Sequence, residues 1–155
     1  MKMPAEPVIA PLTPEEAGEL AAIFKAARPG YIAHFHPFAF DEESVRAQLE
    51  GARRDRYWGI RCGGELAGIF MLRGFNDGYE RPAFGVFIAE HFAGRGLARR
   101  ALAEAEKWCR ENGIAEMMLT VHRENTTAVR VYEEAGFVAA DPGAATLLMA
   151  KRLSK

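Results

Sequence analysis

The stretch Val86-Phe87-Ile88-Ala89-Glu90-His91-Phe92-Ala93-Gly94-Arg95-Gly96-Leu97-Ala98-Arg99 runs from an apolar segment through glycines into an amphipathic one. A strand that ends in glycines, with those glycines opening a helix, offers free backbone N–H groups and the positive end of a helix dipole to an anion. Gly94 and Gly96 would let the backbone approach a bulky phosphate group. Arg95 and Arg99 would add charge at the same mouth. Two common phosphate binders do not fit. A dinucleotide fingerprint, G-x-G-x-x-G, would need glycine at 99, where arginine stands, and a Walker A loop would need Gly-Lys-Ser/Thr, which is absent.

After one further strand comes Asn125-Thr126-Thr127-Ala128-Val129-Arg130-Val131-Tyr132-Glu133-Glu134-Ala135-Gly136-Phe137. With both stretches in this order, the chain resembles the GNAT superfamily of acyl-CoA-dependent N-acetyltransferases. The resemblance is close over about residues 60–140 and looser elsewhere. That family's first motif, Gln/Arg-x-x-Gly-x-Gly/Ala, matches at Gly96 and Ala98, with Gly94 as a further glycine. Its second, Asn-x-x-Ala-x-x-x-Tyr-x-x-x-Gly-Phe, matches at Asn125, Ala128, Tyr132, Gly136 and Phe137. Two positions depart: Ala93 stands where the family has Gln or Arg, and Glu90 where a proline is usual after the strand.

The resemblance implies an α/β fold: a central mixed, mostly antiparallel sheet of about six to seven strands flanked by about four helices. It implies that the fourth and fifth strands splay apart and that the pantetheine arm of acetyl-CoA lies between them, paired with the fourth strand. Carried over, Val86, Phe87 and Ile88 would line the arm, and Gly94, Arg95, Gly96, Leu97, Ala98 and Arg99 would hold the pyrophosphate. Asn125 would bind near the arm while also capping the next helix. Tyr132 would protonate the departing thiolate, a task that suits a phenol with a pKa near 10. The plain alternative for Tyr132 is a core aromatic on an amphipathic helix.

An attacking amine must be neutral, and an alkyl ammonium is deprotonated only about once in 2,500 at pH 7, so a base or a water relay is expected. Glu80, in the loop that feeds the fourth strand, is the first candidate. Glu90, His91, His122, His34 and His36 are the others, and a solvated surface role is open to each. In the family, acceptor choice rests largely on the loop between the first helices. Here that loop carries Tyr31, His34, Phe35, His36, Phe38 and Phe40, with Tyr31, His34, His36 and Phe38 as candidate substrate contacts. The bacterial ribosomal-protein N-terminal acetyltransferases carry a glutamate five residues before the motif asparagine. That position is Thr120 here, which turns the expectation from a protein N-terminus toward a small primary amine. A protein or peptide acetyltransferase and a non-catalytic acyl-CoA-binding module remain the alternatives.

These residues need elements to hold them. Val8–Ala10 reads as a strand. Thr13-Pro14-Glu15-Glu16 starts a helix to about Ala27, with Leu20, Ile23 and Phe24 inward, ended by Arg28-Pro29-Gly30. Residues 30–40 read as a loop, and Asp41 caps a helix over about 42–53. Tyr57–Cys62 and Glu65–Leu72 form a hairpin through Gly63-Gly64, and Gly74–Arg81 is a polar loop before a strand over Pro82–Ala89. Leu97–Glu111 has the clearest helical period, with Leu97, Ala101, Leu102, Ala105, Trp108 and Cys109 on one face and Gly113 as its stop. A strand over Ala115–His122, a helix over Thr126–Ala135 and strands over Phe137–Ala140 and Ala145–Arg152 complete the order.

Length and composition agree with a domain of this kind. The 155 residues fit one domain, and 49% apolar with 26% charged residues are globular values. A net charge of −1 gives no basic surplus for nucleic acid. No apolar run approaches the roughly 20 residues of a membrane span, and residues 1–7 hold no apolar signal core, so a cytoplasmic protein is expected. Two cysteines, Cys62 and Cys109, read as free thiols, and no His/Cys/Asp spacing implies a metal. A homodimer is compatible with this reading.

Overall fold

The computed structural model describes residues 6–153 other than His36. Seven strands form one sheet: β1 Val8–Pro11, β2 Arg56–Cys62, β3 Glu65–Arg73, β4 Ala83–Ile88, β5 Glu116–His122, β6 Val138–Ala139 and β7 Thr146–Arg152, in the spatial order β1-β2-β3-β4-β5-β7-β6. Every neighbouring pair is antiparallel except β4 with β5. Among the described residues the helices are α1 Ala17–Ala26, α2 Pro29–Ile32, α3 Glu42–Glu50, α4 Leu97–Glu111 and α5 Thr126–Glu134.

The strand period of two sorts the apolar residues into two layers. On β3, Ala67, Phe70 and Leu72 pack toward α4, with Ile60, Phe84, Met117, Leu119 and Val121 from other strands. Leu66, Ile69 and Met71 of the same strand pack the other way, with Phe87 of β4, against Leu20 and Phe24 of α1 and Val45 and Leu49 of α3. The near-continuous apolar run of β3 thus reflects a strand buried on both faces. The inner stripe of α4 matches the sequence reading: Leu97, Ala101, Leu102, Ala105 and Cys109 are buried, while Trp108 is half-buried against Trp58.

The structure differs from the sequence reading at several boundaries. A 3-10 turn, Pro14–Glu16, precedes α1, and the Thr13 N–H donates to the Glu16 carboxylate at 2.8 Å. Within the aromatic stretch read as a loop, Pro29–Ile32 forms a one-turn helix. Pro29 stops α1, but its fixed φ and missing N–H also suit the first position of a new helix. The helix α3 ends at Glu50, short of the expected 53, where the Gly51 N–H closes on the Ala47 carbonyl at 2.9 Å. Residues 54 and 55 instead serve the polar loop after β3. Their N–H groups donate to the Asn76 side chain at 2.8 and 3.0 Å.

Candidate active site

The parallel junction of the sheet is nearly absent. β4 follows β3 along its whole length, and β5 follows β7 along its own, but β4 and β5 share only the Ala83–Met118 pair and the Met118 N–H bond to the Pro82 carbonyl at 3.0 Å. Beyond that point they form a fork. The Pro82 carbonyl faces β5, while the Ala89 N–H turns the other way and donates to the Ala67 carbonyl of β3 at 2.7 Å. Alternation therefore turns the backbone N–H and C=O groups of Phe84, Val86 and Ile88 into the fork. An extended ligand with amide groups can pair there as an added strand would. Phe87 does not line the fork with its ring, which is buried in the layer under α1.

At the open end of β4 the chain makes a 3-10 turn, Glu90–Phe92, then passes Gly94 and Gly96 into α4. The two glycines have φ of +79° and +76°, a region that side-chain-bearing residues rarely enter. A Cβ built at either would meet no heavy atom within 4 Å, so both face open space. No side chain caps the helix start at Gly96, and the first N–H groups of α4 lack intrahelical acceptors. This uncapped, concave, positively poled turn fits a diphosphate. Leu97 is buried and Ala98 half-buried, so they seat the helix. The two arginines are engaged elsewhere: Arg95 lies 5.0 Å over the Phe92 ring, and Arg99 pairs with Glu134 of α5 at 2.7 Å.

On the α4/α5 side, Asn125 caps α5 by accepting the Ala128 N–H at 3.3 Å. Tyr132 of that helix meets the Phe84 ring edge-on at 6.4 Å and the Phe137 ring at 6.0 Å. It thus lies under the fork, against a β4 residue just past the last strand-to-strand pair. Burial pushes its phenol up to about 12, so the hydroxyl keeps its proton.

On the opposite side a short segment straddles the fork. The Arg28 guanidinium and N–H both engage the Glu90 carboxylate, just past β4. The Tyr31 hydroxyl donates to the Ile88 carbonyl at 2.7 Å. The His34 ring stacks on His122, the last residue of β5, with centroids 4.1 Å apart and planes within 16°. The Glu124 N–H donates to His122 Nδ1 at 3.2 Å. Arg28 holds the Glu90 carboxyl below the usual carboxylate range, while burial and the Glu90 charge raise the Tyr31 phenol.

Most of the loop aromatics secure this segment. Phe35 and Phe40 pack on Phe24, with Phe35 also 5.2 Å from Phe87, and Phe38 lies between Phe24, Tyr57 and the Arg73 guanidinium. Of the four candidate substrate contacts, Tyr31 and His34 reach the fork, Phe38 lies in this packing, and His36 lies outside the described residues. Glu80 is exposed before Pro82, at the bonded end of the fork, and is not brought together with Tyr132. His91 contacts Glu65 at 2.8 Å. The contacts Arg28–Glu90 and His34–His122 were not legible beforehand, because no local pattern links partners so distant in sequence.

A family model described as the acetyltransferase (GNAT) family matches residues 20–137. A spermidine N(1)-acetyltransferase of Escherichia coli (strain K12) is 31% identical over 84 residues, which cover 54% of this chain and 45% of that protein. The match therefore spans under half the length of that relative. Among solved structures, an N-acetyltransferase from Thermoplasma acidophilum in complex with coenzyme A superposes with a TM-score of 0.79 at 18% identity, over 95% of this chain and 99% of that one. A spermidine/spermine N-acetyltransferase from Vibrio cholerae gives 0.74 at 21% identity, over 97% and 96%.

Proposed function

The chain belongs to the acetyltransferase (GNAT) family, and from that premise we propose that it moves the acetyl group of acetyl-CoA to the primary amine of a small molecule, by direct attack in a ternary complex. The observation that carries this reading is the fork itself, with open backbone groups along β4, a bare glycine turn at its end and a protonated phenol beneath it. The turn from Gly94 to Ala98 would hold the pyrophosphate on N–H groups, and Val86 and the Ile88 N–H would pair with the amides of the arm, while Tyr31 holds the Ile88 carbonyl. Backbone donors then serve where Ala93 replaces a longer polar side chain. Tyr132 donates its proton to the thiolate as the C–S bond breaks. A phenol near 12 is a weak acid for a thiolate in water, but the same burial disfavours the sulfur anion and narrows the mismatch.

Because two relatives are named for spermidine, that amine is the first acceptor to try, and Thr120 speaks against a protein N-terminus. The test is release of free thiol from acetyl-CoA with a panel of spermidine, amino acids, amino sugars and N-terminal peptides, with acetylated product identified by mass. Turnover of a small primary amine supports the reading. Turnover of peptides alone, or binding of acetyl-CoA without turnover of any amine, overturns it.

A further inference from the structure

The stacked imidazoles stand on the side of the fork opposite Tyr132, and the sequence motifs assign neither of them. His34 comes from the segment after α2 and His122 from the end of β5, so the pair spans the open fork. An amine and Tyr132 would then approach the thioester from opposite sides. Glu124 lies beside His122, and Tyr31 and the Arg28–Glu90 pair stand on the same segment as His34 and at the end of β4. Tyr31 spends its proton on the Ile88 carbonyl, and Glu90 is held by Arg28. Glu124 is exposed, with its carboxylate 4.0 Å from His122 Nδ1. His122 Nδ1 accepts a backbone N–H, so a neutral His122 carries its proton on Nε2 and has no free lone pair on the ring. None of the described residues hydrogen-bonds the exposed His34 ring, which leaves a lone pair for a ligand.

We propose that His34 is the base that takes the proton from the acceptor amine, and that His122 positions it by stacking. This rests on the acetyl-transfer reading above. In the step, the amine nitrogen forms the C–N bond to the thioester carbon and gives one proton to His34. The C–S bond breaks with its electron pair on sulfur, which takes a proton from Tyr132. The products are the amide and the free thiol, and the proton on His34 returns through solvent to the tyrosinate. Histidine suits this work because its charge changes within the physiological range.

The test compares wild type with His34→Asn, His122→Phe and His122→Ala, using the panel amine that wild type turns over fastest. His34→Asn should lower kcat/KM roughly 10²- to 10⁴-fold and remove the fall in rate on the acid side of the profile. Added imidazole should restore part of the rate. Acetyl-CoA affinity should stay within about twofold, since no cradle residue changes. His122→Phe keeps a flat ring and should keep most of the rate, whereas His122→Ala should lose about tenfold. Independently of turnover, the His34 ring protons should show an upfield ring-current shift in NMR that is lost in His122→Ala and kept in His122→Phe. Identical His34 resonances in wild type and His122→Ala would overturn the stack and the proposal. Turnover in which His34→Asn keeps the wild-type rate and pH profile would overturn the base alone. Absence of turnover on every amine would overturn the transfer reading and this base with it.

Discussion

The two sides of the sheet are built by different means. On the α4/α5 side the candidate site is mostly backbone, with two left-handed glycines, an uncapped helix start and a strand with open N–H and C=O groups, and the Tyr132 side chain lies beneath them. On the α1–α3 side it is made of side chains of one segment, Arg28 on Glu90 and Tyr31 on the Ile88 carbonyl at the end of β4, and His34 on His122 at the end of β5. On the proposed reading, the backbone side would recognise what acyl-CoA donors share, a diphosphate and an amide-bearing arm. A side-chain site can be rebuilt for each acceptor. Variants on the two sides should therefore fail in different kinetic constants.

Tyr132→Phe should give the largest effect. It removes the hydroxyl and keeps the ring that packs on Phe84 and Phe137. We expect kcat to fall roughly 10²- to 10⁴-fold with acetyl-CoA Kd nearly unchanged, read by single-turnover kinetics and calorimetry. A variant with wild-type kcat, where chemistry is rate-limiting, would reduce Tyr132 to a packing residue. The same variant has a pH signature. The folded phenol titrates near 12, above its ordinary value of 10.0, so the unfolded chain ionises first and stability falls as pH rises between those values. That is about 1.4 kcal/mol per pH unit. Cys109, whose thiol burial pushes up to about 12, contributes in the same direction and remains in the variant. Denaturant melts on the alkaline side should thus fall less steeply for Tyr132→Phe than for wild type.

Gly96→Val should come next and should act on binding. A β-branched residue is poorly accommodated at φ +76°, and its side chain would project into the open space proposed for the diphosphate. Acetyl-CoA affinity should weaken at least about tenfold, or 1.4 kcal/mol. Unchanged affinity in a folded variant would remove the cradle from this turn.

The same division explains what could be read from the sequence. Helix α4 was legible to the residue because its apolar period, glycine start and glycine stop are all local. The order of the strands followed from hairpin glycines and apolar runs. Tyr132 and Asn125 came from a motif contained within one helix and its cap. By contrast, α2 was read as loop because Pro29 ends one helix and begins another with the same ring. Arg28 and Glu90 lie 62 residues apart, and Tyr31 and Ile88 lie 57 apart. Such pairs are fixed by how the first helices pack on β3 and β4, through Phe24, Phe35 and Phe87, and no local spacing encodes them. Arg99 shows the limit from the other direction. Its position at the helix start pointed to the phosphate mouth, yet a carboxylate on the neighbouring helix takes it.

Glu90→Gln probes the join between the two sides and should give the smallest effect. Glu90 stands in the turn that leads to the glycines, yet its carboxylate reaches back to Arg28 at the start of α2. It replaces the proline usual in the family, exchanging a rigid turn for a tether to the segment that begins at Arg28. Glutamine keeps the size and one acceptor oxygen for the Arg28 N–H but gives up the charge. Because the Arg28 side chain is 82% exposed, the pair is a surface one, screened by solvent, and contributes little. The segment should loosen, and KM for the amine should rise up to about fivefold, an effect that added salt on wild type should partly mimic. Acetyl-CoA Kd should stay put if the tether serves only the acceptor side. A rise in acetyl-CoA Kd with unchanged amine KM would instead place Glu90 with the cradle, and the two sides would then be one unit joined through this turn.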